Sequence, residues 1–222
     1  MAERPSIQTV GQWLKSRWWQ AAVGSAALIV AAAVAMSSLP GGPAKVTGNT
    51  PEDRVAAIEE IKTERPPGAA EALAGAVRDT NPQVREAAIA ALGQFKKRPD
   101  LVQAALQDPD QNVRVTAAET VGIINDPQAP DVLAAVVFNE SVDAATRKGA
   151  LRGLARTGTP RATVQLVRAM DVPQPEVART AMEVLTGTLG IRWWDSPPNP
   201  ADRKEWARKK EVLQTLLARK RH

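Results

Sequence analysis

One ten-residue pattern occurs five times along the chain, and its spacing constrains the fold more than any other feature. The copy at 84–93 reads VREAAIAALG, and successive copies begin 29 to 33 residues apart. Each copy has an alanine four places after its start and a larger apolar residue eight places after it. These positions share one face of an α-helix. Recurrence at this period predicts helices that stack as a solenoid. The copies start at Asp53, Val84, Val113, Thr146 and Val177.

Proline-containing polar loops separate the apolar segments, which indicates pairs of short helices. Thr50 followed by Pro51, and Asn81 followed by Pro82, are typical of helix starts. Segments of alternating polarity are missing, so we expect an all-α chain. The predicted helices are 51–64, 69–77, 82–97, 99–106, 109–124, 129–138, 143–156, 160–170 and 175–187, with one further helix at 201–220 capped by Asn199.

The repeated residues resemble HEAT repeats, particularly the short bacterial form related to the repeats of phycobilisome lyases. The resemblance covers about residues 50 to 190 and implies an α-solenoid of about five helix pairs at 51–190. It also implies a surface that binds another protein. The second copy carries it most fully, through Asp79, Val84, Arg85, Ala88, Leu92 and Gly93.

An arginine follows the first position of several copies and lies inside the apolar sector of its helix. Such an arginine needs a partner once stacking covers it. The aspartate six residues earlier lies in the preceding loop, where bidentate pairing would brace adjacent loops. The alternative interpretation is ligand binding by the arginines. The candidate ladder consists of Asp79, Arg85, Asp108, Arg114 and Arg147.

The N-terminal part predicts a membrane anchor at 18–39, between a cytoplasmic segment at 1–17 and a linker at 40–50. No charged residue occurs from 21 to 39, which is about the length that a helix needs to cross a bilayer. Trp18 and Trp19 suit the membrane interface, and Lys15 and Arg17 favour a cytoplasmic N-terminus. The repeats would then lie on the periplasmic side of the inner membrane. Two alternatives remain open: a signal peptide cleaved after Ala35, and a buried core helix.

Residues 191–222 predict a cap for the last repeat, because the end of a solenoid exposes an apolar face. The cap residues are Trp193, Trp194, Trp206, Leu213, Leu216 and Leu217. The same segment is basic, and its candidate anion contacts are Arg203, Lys204, Arg208, Lys209 and Lys210. Two interpretations of these charges remain open: contact with anionic lipid or a polyanion, and a solvated helix face whose cations lie near the C-terminal end of the helix dipole.

The composition argues against several kinds of site. The chain has no cysteine and one histidine, so thiolate metal sites and histidine-dependent catalysis have almost no ligands to draw on. We therefore expect no enzyme activity, cofactor, metal or small-molecule substrate. The expected function is a membrane-anchored scaffold that binds an unidentified protein, within a membrane complex. Binding of nucleic acid is disfavoured if the repeats lie outside the cytoplasm. The alternatives are a secreted form, a bilin-lyase-like chaperone or enzyme, and binding of a polyanion or lipid surface through the basic helix.

Overall fold

The computed structural model describes residues 44–124, 126–191 and 199–219, and over these residues the chain forms ten α-helices. A 3₁₀ turn, Ala105–Gln107, follows the fourth helix. The helices are α1 (Pro51–Glu64), α2 (Ala69–Ala76), α3 (Pro82–Phe95), α4 (Pro99–Ala104), α5 (Gln111–Val121), α6 (Ala129–Phe138), α7 (Ala144–Thr157), α8 (Pro160–Ala169), α9 (Pro175–Leu189) and α10 (Arg203–Arg219).

The helices form four pairs followed by α9 and α10. The first helices of successive units, α1, α3, α5, α7 and α9, pack on one another in chain order. Each second helix packs against its own first helix and against the first helix of the next unit. One pair cannot bury its apolar face alone, so the neighbouring unit completes the burial. The prediction of an all-α stacked chain is confirmed.

The core follows the repeated positions of the sequence. In the second copy Val84, Ala88 and Leu92 are each 0 % exposed. The equivalent residues of the third, fourth and fifth copies are also buried. The first copy differs, because Asp53 is exposed and Ala57 only half-buried. No earlier unit covers that end of the described stack.

Short polar side chains begin the helices. Thr50 and Asp53 form a reciprocal capping box at α1, and Asn81 accepts hydrogen bonds from the amides of Gln83 and Val84 at α3. The start of α5 differs from its prediction, because Asp110 is the N-cap and not Asp108. Asp108 instead accepts the amide of Asp110, which shifts the helix start by two residues.

The C-terminal helix also starts later than predicted. Asn199 accepts a hydrogen bond from the amide of Ala201, which makes a turn before the helix. Asp202 then accepts the amides of Lys204 and Glu205, as an N-cap does. α10 therefore begins at Arg203 and not at 201.

Helices α5 and α7 approach each other at two glycines. A Cβ atom built on Gly122 would lie 2.0 Å from the carbonyl oxygen of Gly153. One built on Gly153 would lie 2.3 Å from the carbonyl oxygen of Ala118. Both distances are too short for non-bonded atoms, so the absence of a side chain permits this spacing.

The N-terminal predictions fall mostly outside the described residues. These are the segments 1–17 and 18–39, with Lys15, Arg17, Trp18 and Trp19. Of the predicted linker 40–50, residues from 44 onward are described, and Ala44 and Val46 pack against the core. The amide of Ala44 donates to the carbonyl of Pro67 at 3.0 Å. Among the helices that the structure describes, none is long and apolar enough to cross a bilayer.

Candidate functional site

Arginine–aspartate pairs join successive repeats at the N-terminal ends of the first helices. Arg54 donates from Nε and Nη2 to the two carboxylate oxygens of Asp79, at 2.7 and 2.9 Å. Arg85 makes the same bidentate contact with Asp108, at 2.9 and 2.7 Å. This geometry matches the planar fork of a guanidinium to a carboxylate. The loops between repeats are thereby held at a fixed spacing.

The carboxylate comes from the following loop, which corrects the predicted pairing within one repeat. The loop six residues before each arginine supplies a backbone carbonyl instead. Nη1 of Arg85 donates to Asp79 O at 2.9 Å, and Nη1 of Arg114 donates to Asp108 O at 2.8 Å. Arg54 reaches Gly48 O in the same way at 3.5 Å. Each arginine thus binds the loop before its own helix and the loop of the next unit.

The third pair uses a different position of the loop. Arg114 donates from Nε and Nη2 to Oδ2 of Asp143, at 3.3 and 2.9 Å. Asp143 is the N-cap of α7, whereas the sequence pattern placed Ser141 at the aspartate position. Asp143 also accepts hydrogen bonds from Gln111 and Thr146. We call the set Arg54–Asp79, Arg85–Asp108 and Arg114–Asp143 the Arg–Asp ladder.

Hydrogen bonding keeps the ladder carboxylates charged. Hydrogen bonds from Arg54 lower the pKa of Asp79, against the opposing effect of burial. Burial raises the pKa of Asp108 and Asp143, but hydrogen bonds from the arginines and from backbone amides more than offset it. The pKa of Asp108 is therefore below its usual value, and that of Asp143 is well below it. Each carboxylate is ionised at neutral pH.

Arg147 occupies the fourth arginine position and has no carboxylate partner among the described residues. Its side chain is 0 % exposed. Nε donates to the carbonyl oxygen of Val137 at 2.7 Å, and Nη1 donates to the side-chain oxygen of Gln174. Nη2 is buried and has no hydrogen-bond partner in the part of the chain that is described. The ladder therefore ends at an arginine that is only partly satisfied.

A cavity of about 320 Å³ adjoins Arg147. Phe138 at the end of α6 and Arg168 at the end of α8 line it, and Cζ of Arg168 lies 4.9 Å from the centroid of the Phe138 ring. The exposed residues Glu140 and Asp171 also line this cavity. Two cations and two carboxylates thus surround one small space.

The structure places part of the predicted cap against the stack. Leu213 is 0 % exposed, and Trp206 and Leu217 pack against the core. Leu216 is half-buried. Trp193 and Trp194 lie outside the described residues.

The predicted anion contacts separate into two groups. Lys209 pairs with Glu205 on the same helix, and Lys210 pairs with Asp171 in the loop before α9. Both lysines are half-buried. The exposed cations are Arg203, Lys204 and Arg208.

A groove of about 440 Å³ runs between α8 and α10. Val164, Val167, Leu189 and Leu217 contribute apolar side chains to its lining. Val164 is 41 % exposed, which is unusual for a large aliphatic side chain in this fold. The lining of this groove is therefore largely apolar, whereas charged side chains line the cavity at Arg147.

Two members of the ladder were missed from the sequence. Arg54 follows the first position of its copy, as Arg85 does, but the loop before it has Gly48 in place of an aspartate. Asp143 stands two residues after the expected aspartate position, 141. In the sequence it was interpreted only as the start of a helix, so its role as a partner of Arg114 was missed. Within the described ranges no cluster of three or more His, Cys, Asp or Glu is arranged to hold a metal ion.

The chain was compared with solved structures, curated proteins and family models. The solved structures that are similar to the chain include the following two, and both likenesses are distant. An engineered protein from a structural genomics consortium is 18% identical, with a TM-score of 0.44, over 77% of this chain and 94% of that chain. The complex of CpcE and CpcF of phycocyanin lyase from Nostoc sp. PCC7120 is 19% identical, with a TM-score of 0.39, over 65% of this chain and 74% of that chain.

No curated protein matches the chain in sequence. The family model for HEAT repeats matches residues 45–101 and 98–186, which is more than half of the chain. The stacked helix pairs and the ladder between them lie within these residues. The chain therefore belongs to the HEAT-repeat family.

Proposed function

We propose that this protein is a scaffold that binds another protein along its helical surface, with no catalysis of its own. The observation that carries the proposal is the Arg–Asp ladder. Its three ion pairs fix the spacing of successive first helices. A partner can then contact several units of a preformed surface without ordering them first, and solenoids present extended surfaces of this kind.

The proposal includes attachment to the inner membrane through 18–39, with the repeats on the periplasmic side. Its support is the uncharged run at 21–39 and the flanking tryptophans of the sequence. Alkaline carbonate extraction of membranes should leave the intact chain in the pellet. A mature protein that begins at Met36 would instead establish a cleaved signal peptide.

The partner is an unidentified protein, within a membrane complex. The test is purification of the full chain in mild detergent, reciprocal purification through the recovered partner, and hydrogen exchange on the purified complex. The slowed amides should fall in at least two adjacent repeats, because a preformed array contacts its partner over several units. Failure to recover a stoichiometric partner in either direction would refute the scaffold.

A second candidate function rests on α10. Its exposed cations Arg203, Lys204 and Arg208 favour contact with anionic lipid. In this case slowed exchange would be confined to 203–219 and would require vesicles that contain anionic lipid. A variant with glutamine at these three positions would lose vesicle binding, whereas it should keep the protein partner of the scaffold.

A further inference from the structure

The fourth arginine of the array is the starting point. Arg54, Arg85 and Arg114 each bind a carboxylate, whereas the partners of Arg147 among the described residues are a backbone carbonyl and an amide oxygen. It is also the most buried of the four, at 0 % exposure. A buried cation without a counter-ion is unfavourable, because its desolvation is not compensated.

The sequence explains why the loop before α9 brings no carboxylate to Arg147. Asp79 and Asp108 each stand two residues before the N-cap of the next first helix. Val172 occupies the equivalent position before α9, whose N-cap is Gln174. At the third junction Ser141 stands at the aspartate position, and the N-cap Asp143 supplies the carboxylate that binds Arg114. The N-cap of α9, Gln174, has a neutral amide in its place.

The side chains around the cavity carry a net charge that one negative charge would neutralise. Among the lining residues the cations Arg147 and Arg168 balance the carboxylates Glu140 and Asp171. Lys210 also pairs with Asp171, so these five groups together carry one net positive charge. A singly charged anion neutralises that charge, whereas a phosphate dianion would overcompensate it beside two carboxylates.

We propose that the cavity at Arg147 is a binding site for a monoanionic carboxylate. The ligand accepts a hydrogen bond from Nη2 of Arg147, which has no other described partner. It supplies the negative charge that Asp79, Asp108 and Asp143 supply to the other three arginines, but through Nη2 alone, because Nε and Nη1 of Arg147 are already bound. The carboxylate belongs either to a free small acid or to an acidic side chain of another protein. The site does not depend on the scaffold function, because either source satisfies it.

The cavity fits this ligand in size and chemistry. Its volume of about 320 Å³ is at the lower end of small-molecule sites. Because Arg147 exposes no surface, the ligand must open the contact that covers Nη2. Arg168 is exposed and lies over the Phe138 ring, so it is the lining cation freest to turn toward an incoming carboxylate.

The test measures thermal unfolding of the full chain in detergent. The probes are sodium acetate and a glutamate residue blocked at both termini, each compared with sodium chloride at equal ionic strength. We expect a saturable rise in melting temperature of about 2–5 °C with each carboxylate. Tighter binding of the blocked glutamate assigns the site to a partner's side chain, and equal or weaker binding assigns it to free acids. An acetate response no larger than the chloride response would overturn the proposal, and water would then satisfy Nη2.

Two substitutions make the result specific to Arg147. Gln174→Glu places a carboxylate on the existing contact with Arg147, so it should raise the melting temperature without ligand and weaken acetate binding at least about tenfold. Arg147→Met should abolish the acetate response. If Arg147→Met does not fold, Arg168→Gln replaces it and is compared with Gln174→Glu. Arg168 is exposed, so this substitution should leave the fold intact and weaken acetate binding severalfold. Unchanged acetate affinity in Gln174→Glu would refute the site.

Discussion

The close contact between α5 and α7 predicts that a glycine-to-alanine substitution in α7 lowers the stability of the protein, although the same substitution inside a helix usually raises it. Alanine is normally better than glycine inside a helix, by about 0.5–1 kcal/mol. At Gly153, within α7, a Cβ would lie 2.3 Å from the carbonyl oxygen of Ala118 and 3.1 Å from Cδ1 of Leu133. Gly153→Ala should therefore destabilise the protein.

The magnitude follows from the backbone clash. Non-bonded heavy atoms need about 3.5 Å, so the two helices must separate by about 1 Å. A backbone oxygen has no rotamer that relieves the overlap, and the cost should lie near the upper end of overpacking, about 3 kcal/mol. Subtracting the helix propensity of alanine leaves a loss of about 2 kcal/mol. In a protein of this size the melting temperature should fall by about 4–8 °C.

Circular dichroism on thermal unfolding measures the effect, and Gly187→Ala is the matched control. Gly187 lies within α9, and no atom of the described residues lies within 4 Å of the Cβ that the substitution would add. The control should therefore gain helix propensity and melt about 1–4 °C higher than the parent chain. A Gly153→Ala variant that melts at or above the parent temperature would show that α5 and α7 are not in this close contact.

Three further perturbations test the core, the cap and the ladder. Ala88→Leu should lose about 1–3 kcal/mol of unfolding free energy by overpacking, since Ala88 is fully buried, and a neutral effect in denaturant titration would contradict the packing register. Leu213→Ala should cost about 2–5 kcal/mol, whereas Val212→Ala, at a residue 39 % exposed, should cost little; similar effects would mean that α10 is not docked through Leu213. Asp108→Asn should cost about 1–3 kcal/mol at neutral pH. Because the folded-state pKa of Asp108 is lowered, its charge stabilises the fold above the unfolded pKa of about 3.9. That contribution is lost as the pH falls through the folded pKa, so the parent chain and the variant should have similar unfolding free energies in acid. A difference that persists in acid would refute the ion pair.

The helical stack could be predicted because its period and its burial depend on local sequence. The positions 0, 4 and 8 of the second to fifth copies are buried, as the helix face required. The start of α3 was predicted correctly, with Asn81 as N-cap and Pro82 as the first helical residue. The same Asx-Pro pattern at Asp108 and Asn199 put the helix start two residues too early, since each of these side chains makes a turn of its own before the helix begins.

The pairing within the ladder could not be read from local sequence. Spacing relates an arginine to the aspartate six residues before it, but stacking brings the aspartate of the next loop, more than 20 residues away, to the guanidinium. That choice depends on which loops lie side by side in space. The open position of Arg147 was nevertheless present in the sequence, because Val172 stands where Asp79 stands in the second repeat.

The first two ladder pairs have the same geometry, and this affects what happens when the chain loses one repeat. Arg54 meets Asp79 as Arg85 meets Asp108, and both aspartates accept the amide two residues later. Asp79 and Asp108 are 29 residues apart, which is one repeat. An in-frame loss of 79–107 would therefore bring Arg54 to Asp108 and rebuild the same ion pair. In the shortened chain α1 and α2 would meet α5 in place of α3, so the ladder would keep its register and only the apolar contacts would have to adapt.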